Sequence, residues 1–112
     1  VVYAAESSAL AMLEVLVGLE SRTLPPPFQL LRIEAPDGLP VDEFEGMAPA
    51  RLAESRDWGE AWLAGGASAL ARVPSAIAPH GFNLLVNPAH GDAARIRVTA
   101  SGRYPWDERL FG

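Results

Sequence analysis

The stretch "VVYAAESSALAMLEVLVGL", Val1 to Leu19, decides how the chain is read. Its first five residues have the β-branched, aromatic and small make-up of a strand. Ser7 or Ser8 then stands where a helix cap belongs, and the apolar run that follows reads as a helix to about Leu19, with Gly18 near its end. Into that run the sequence sets one carboxylate, Glu14. On a helix it shares a face with Leu10, Ala11, Val17 and Gly18, three or four positions away. An unpaired carboxylate costs several kcal/mol to bury. Glu14 must therefore reach water, pair with a donor, or take up a proton.

Two readings of Glu14 follow from the pattern. In one, the helix has a single exposed edge and Glu14 faces water from it. In the other, Glu14 stands at the wall of a cleft, where low dielectric strengthens its hold on a developing positive charge. Cleavage of a glycosidic bond, through an oxocarbenium-like state, is the commonest chemistry for such a carboxylate. Ala11 and Gly18 are small enough to let a ligand or another backbone approach. Tyr3 ends the strand that feeds the helix, and its flat ring and hydroxyl fall near Glu14 if strand and helix pack side by side. Ordinary packing is the alternative for that ring.

Working outward, Pro25-Pro26-Pro27 stops any helix, and "FQLLRI", Phe28 to Ile33, reads as a second strand. From Glu34 to Pro49 the residues are acidic and broken by Pro and Gly, which predicts a surface loop with a turn at Asp37-Gly38. Asp57 is read as the cap of a helix through Trp58, Trp62 and Leu63, ended by Gly65-Gly66, with both Trp side chains on one face as core. Short strands follow at Ala69 to Val73, Phe82 to Val86 and Ile96 to Thr99, the last after a turn at Pro88 to Asp92. Trp106 to Arg109 is expected to close a sheet edge. With no internal repeat, the whole predicts a single α+β domain: a twisted sheet flanked by two or three helices.

A chain of 112 residues with 49% hydrophobic side chains supports one domain and a real core. The net charge of -5, with all nine cations Arg, argues against a face built for nucleic acid. No Cys is present, and two His residues, His80 and His90, do not make a zinc site of the usual kind. The apolar run is shorter than the ~20 residues a membrane span needs and has no basic lead-in of a secretory signal. We expect a soluble, cytoplasmic chain without a metal. Because it opens on a strand without an initiating Met, we also expect an upstream segment of the natural domain to be absent.

Taken with "DWGEAWLAGGASALARVPSAIAPHGFNLLVNPAH" and "WDERLFG", the opening stretch resembles the RES-domain toxins of bacterial toxin-antitoxin pairs, over essentially the whole chain. Tyr3 and Glu14 eleven positions apart, Val73-Pro74-Ser75, and "NLLVNP" from Asn83 to Pro88 carry the resemblance. It implies a fold like that of ADP-ribosyltransferases and an activity on NAD as substrate, with no further cofactor. Members cleave NAD at the nicotinamide-ribose bond, some with phosphate as acceptor, or transfer ADP-ribose to a protein. By position, Glu14 matches the family's Glu as catalytic residue and Ser75 its Ser, which orients the nicotinamide-ribose. Tyr3 matches a pocket Tyr beside the leaving ring. The family's Arg precedes the Val-Val-Tyr strand, and none of the nine Arg residues here matches it.

The resemblance further implies a cognate antitoxin of helix-turn-helix, Xre type, and assembly as a homo-oligomer or with that antitoxin, with no direct contact to nucleic acid or membrane. A non-catalytic binding module on the same fold is the competing reading. Asn83, Asn87 and His90 are expected to line the same region, or to serve ordinary turns. Acyl transfer with Ser75 as nucleophile and His80 as base lacks both a Gly-x-Ser-x-Gly elbow and a third member.

Overall fold

The computed structural model describes residues 1–19, 23–44 and 52–112. Strand β1 (Val2–Ala5) leads into helix α1 (Ser8–Gly18), followed by β2 (Phe28–Glu34), β3 (Val41–Glu43), helix α2 (Leu52–Gly65), β4 (Leu70–Pro74), β5 (Phe82–Val86) and β6 (Arg97–Tyr104). Short 3-10 helices at Gly91–Arg95 and Glu108–Phe111 precede and follow β6. The domain is α+β, as the sequence pattern implied. No described helix is long and apolar enough to cross a membrane.

One four-stranded sheet, in the order β1-β5-β4-β3, holds the core. Strands β1, β5 and β4 pair antiparallel, while β3 joins β4 in parallel. The register sets Tyr3 opposite Leu85, Ala5 opposite Asn83, Leu85 opposite Ala71, and Asn83 opposite Val73. Because alternate residues point to opposite faces, these six side chains share one face. Helix α2 covers part of that face: Trp62, Ala71 and Leu85 form the buried cluster, with Trp58 and Val73 packed against it. The two Trp rings lie parallel, 6.5 Å between centroids, as their spacing of four on α2 predicts.

A polar knot ties α2 to the sheet. The Trp62 Nε1–H donates to Ser68 Oγ at 2.9 Å, and that hydroxyl lies 2.6 Å from Asp42 Oδ2 and 2.9 Å from the Leu70 carbonyl. A hydroxyl has one hydrogen, and the shorter, charged acceptor takes it. Ser68 is buried, so α2, β3 and β4 meet at one hydroxyl.

Four expectations need correction. Residues 41–43, read as loop, are strand β3. Val-Asp-Glu has no apolar alternation, and what makes it a strand is tertiary: pairing with β4, the Asp42 bond to Ser68, and the Glu43 to Arg72 ion pair at 3.2 Å. The turn at Asp37-Gly38 is present, with Gly38 at φ +87, while the end of that loop, 45–49, lies outside the described residues. Helix α2 begins at Leu52, so Asp57 is an interior residue rather than its cap. Strand β6 continues past Thr99 to Tyr104.

The sheet, finally, is two sheets, since β2 and β6 pair only with each other in an antiparallel ribbon. Trp106 is buried beside that ribbon, against Phe28 at 4.6 Å and Phe111 at 6.1 Å. Asp107 caps the final 3-10 helix, and the Arg109 guanidinium with its backbone N–H holds the Asp107 carboxyl below the usual carboxylate range.

Ser68→Ala strands the Trp62 donor and the Asp42 acceptor together. Urea unfolding should show a loss of about 1–3 kcal/mol. Gln29→Ala, which removes an exposed bond to Ser101, should fall within about 0.5 kcal/mol of the parent.

Candidate active site

The site is built where α1 leaves the sheet. The Glu6 N–H donates to the Phe82 carbonyl at 3.2 Å, extending the β1 to β5 ladder up to the helix. Ser7 then caps α1, its Oγ accepting from the Leu10 N–H at 3.1 Å, as a serine at this position should. Leu10 is the buried residue of α1. It rests on the turn at Gly81, where an added Cβ would stand 3.4 Å from Leu10 Cδ2 and 3.1 Å from the Ala78 Cβ. A side chain there would crowd Ala78 within the turn and reach contact with Leu10, so glycine keeps the fit relaxed.

One helical turn beyond Leu10, Glu14 is half-buried. Its Oε1 accepts two hydrogen bonds, from Asn83 Nδ2 at 3.0 Å and from Ser75 Oγ at 3.2 Å. Of the routes open to the carboxylate, the structure takes pairing with donors. Both donors are neutral, and they come from β5 and from the end of β4. Val73 and Asn83 are register partners on the α2 face, and Ser75, two residues beyond Val73, continues that alternation.

Ser75 is buried, and its hydroxyl is fully occupied. The Ile77 and Ala78 N–H groups both donate to Oγ at 3.1 Å while its own hydrogen goes to Glu14, which uses one donor and two acceptor positions. The Ser75 N–H donates to the Gly81 carbonyl at 2.8 Å and closes the loop that joins β4 to β5. The acceptor of its hydrogen is the Glu14 carboxylate and not a histidine. His80 is exposed and sits at φ 65, without a hydrogen bond to Ser75, so the acyl-transfer arrangement is not formed.

Tyr3 lies on edge strand β1, on the same face of the sheet as Asn83, and is 74% exposed. Among the described residues its ring has no hydrogen-bond or aromatic partner. Asn87 and His90 are elsewhere. Asn87 is buried beyond the far end of β5, donating to the Leu63 carbonyl and accepting from the Ala89 N–H. His90 Nδ1 accepts from the Asp92 N–H and caps a 3-10 helix. Both serve turns.

Arg72 takes the opposite face of the sheet, its guanidinium 3.8 Å over the Phe82 ring and paired with Glu43. Strand alternation thus separates that cation from Glu14. A concavity of about 670 Å³ between Glu34, Asp37, Arg95 and Arg97 belongs to the ribbon and does not include Glu14. It is lined by charges of both signs. The site is therefore identified by the held carboxylate rather than by cavity volume.

Sequence reasoning singled out Glu14, Ser75 and Tyr3 but left Asn83 only as a neighbour of the region. Its signal was a polar residue at an inward position of the apolar strand "FNLLV", two residues from the core residue Leu85.

Comparison with known proteins matches residues 1–107 to the RES domain. The Prs ADP-ribosylating toxin of Sphingobium sp. is 38% identical over 121 residues, spanning 99% of this chain and 74% of the relative. Toxin Res of Pseudomonas putida is 40% identical, spanning 99% and 79%. Toxin Res of Yersinia enterocolitica is 35% identical over 80% of this chain and 62% of its own length.

Ser75→Ala removes the acceptor of two amides. Hydrogen exchange at Ile77 and Ala78 should speed up by roughly tenfold or more, about 1.4 kcal/mol of local protection, while the core amides of β5 keep theirs.

Proposed function

The chain belongs to the RES domain family, and from that footing we propose that it is an NAD-consuming toxin enzyme that breaks the bond between nicotinamide and ribose. The observation that carries this reading is the half-buried Glu14 carboxylate, gripped through Oε1 by two neutral donors. Neutral donors orient a carboxylate without cancelling its charge, and an oriented negative charge is what a ribosyl cation needs. The names of the relatives support a toxin with chemistry on NAD.

In NAD the ring nitrogen of nicotinamide is positively charged while bonded to the ribose. The C1′–N bond breaks with its electron pair passing to that nitrogen, so nicotinamide leaves neutral and positive charge develops on the ribose. Glu14 stabilises that charge. Tyr3 offers its exposed ring as a wall for the leaving nicotinamide. Ser75 orients the nicotinamide-ribose end by fixing Glu14 and the loop beneath it. An acceptor oxygen, from water or phosphate, then bonds to C1′ and releases its proton to solvent. NAD is substrate throughout, and this chemistry calls on no other cofactor.

A second reading has the name of the Sphingobium relative in its favour: the same cleavage with a protein side chain as acceptor, which is ADP-ribosylation. Either activity would harm the cell that makes it, which calls for a cognate antitoxin, and we assign that partner to the helix-turn-helix, Xre type.

NAD consumption by the purified protein, with and without inorganic phosphate, tests the proposal. Glu14→Gln should lower turnover by at least about 100-fold, the effect of losing ~3 kcal/mol of charge stabilisation, with an unchanged circular dichroism spectrum. A phosphate requirement would identify phosphorolysis. A Glu14→Gln protein that consumed NAD at the parent rate would overturn the assignment.

A further inference from the structure

We infer that Asn83 is a positioning residue for Glu14, fixing Oε1 so that Oε2 is the oxygen presented to the ribosyl group. The inference rests on the reading of Glu14 as the NAD-cleaving carboxylate and adds to it a residue and a division of labour between two oxygens. Asn83 sits on β5, an interior strand, between Ala5 of β1 and Val73 of β4. Its backbone is thus held from both sides, and its neighbours across the strands are small or apolar.

Asparagine is depleted in strand interiors. Here its amide has a use: Nδ2 lies 3.0 Å from Glu14 Oε1 and joins Ser75 Oγ on that same atom. No donor among the described residues reaches Oε2. Two bonds to one oxygen from two adjacent strands fix both the position of the carboxylate and its rotation, which a single bond would leave free.

The chemical identity of the clamp matters as much as its geometry. An Arg or Lys in place of Asn83 would hold Glu14 as well or better, but its charge would offset the field the ribosyl cation should feel. The sheet keeps these roles apart. Asn83 turns toward Glu14, while the adjacent Phe82 lies under Arg72 on the other face, where Glu43 engages that cation. Each partner of the carboxylate is a neutral donor.

The test is a donor-acceptor swap on the full chain, read by steady-state kinetics and by thermal melting. Asn83→Ala should lower kcat by roughly tenfold or more and leave KM for NAD within about twofold, because the residue acts through Glu14 and not on substrate. Asn83→Asp sets two carboxylates face to face and should lower both the melting temperature and kcat. Adding Glu14→Gln reverses donor and acceptor. The double variant should recover the melting temperature lost by Asn83→Asp, without recovering turnover.

A rise in KM with kcat unchanged would make Asn83 a substrate contact and overturn the inference. So would a double variant no more stable than Asn83→Asp alone. Absence of NAD turnover in the parent protein would instead refute the functional reading, with the melting cycle still deciding whether Asn83 and Glu14 are paired.

Discussion

The bond between a helix and a hairpin organises this molecule: Glu14 of α1 takes two hydrogen bonds on Oε1, from Ser75 at the end of β4 and Asn83 in β5. Helix α1 is an apolar segment with many exposed side chains, Val15 at 51% and Val17 at 62% among them. Leu10 beside Gly81 and Glu14 on the two strands are its side-chain ties to the β4–β5 unit. The first is hydrophobic and tolerant of small shifts. The second is directional, so it sets how the helix is turned.

The same constraint explains the loop from Ser75 to Gly81. Its N–H groups at Ile77 and Ala78 both donate to the Ser75 hydroxyl, whose own hydrogen goes to Glu14. Loop, strand and carboxylate thus share one hydroxyl. A second hydroxyl does similar work in the core, where Ser68 joins Trp62, Asp42 and Leu70. In both places a buried serine hydroxyl that both donates and accepts ties together elements distant in sequence, which gives specificity to an arrangement that apolar packing alone would leave loose.

Much of this was legible in the sequence. Ser7 and Gly18 bracketed α1, the Trp58 to Trp62 spacing marked the core face of α2, and Glu14 stood out because charge inside an apolar run has to be explained. The illegible parts share a cause. Strand β3 is three residues of mixed character whose strand state comes from β4 and Ser68, partners 26 or more positions away. The separation of the β2–β6 ribbon from the main sheet is likewise a matter of pairing rather than propensity, since β2 and the first part of β6 were recognisable alone. Asn83 could be seen as an oddity of its strand, but that its amide meets Glu14, 69 positions earlier, follows only from the fold.

Whether Glu14 is the centre of an NAD site is tested most directly by a crystal structure of the Glu14→Gln protein soaked with NAD. Substitution by an amide keeps the shape of the side chain while slowing cleavage enough to trap the dinucleotide. The nicotinamide-ribose C1′ should lie within about 3.5 Å of the side chain at position 14, on the side away from Ser75 and Asn83, with the Tyr3 ring against the nicotinamide. NAD bound at another surface, or with its adenine end at position 14, would contradict it.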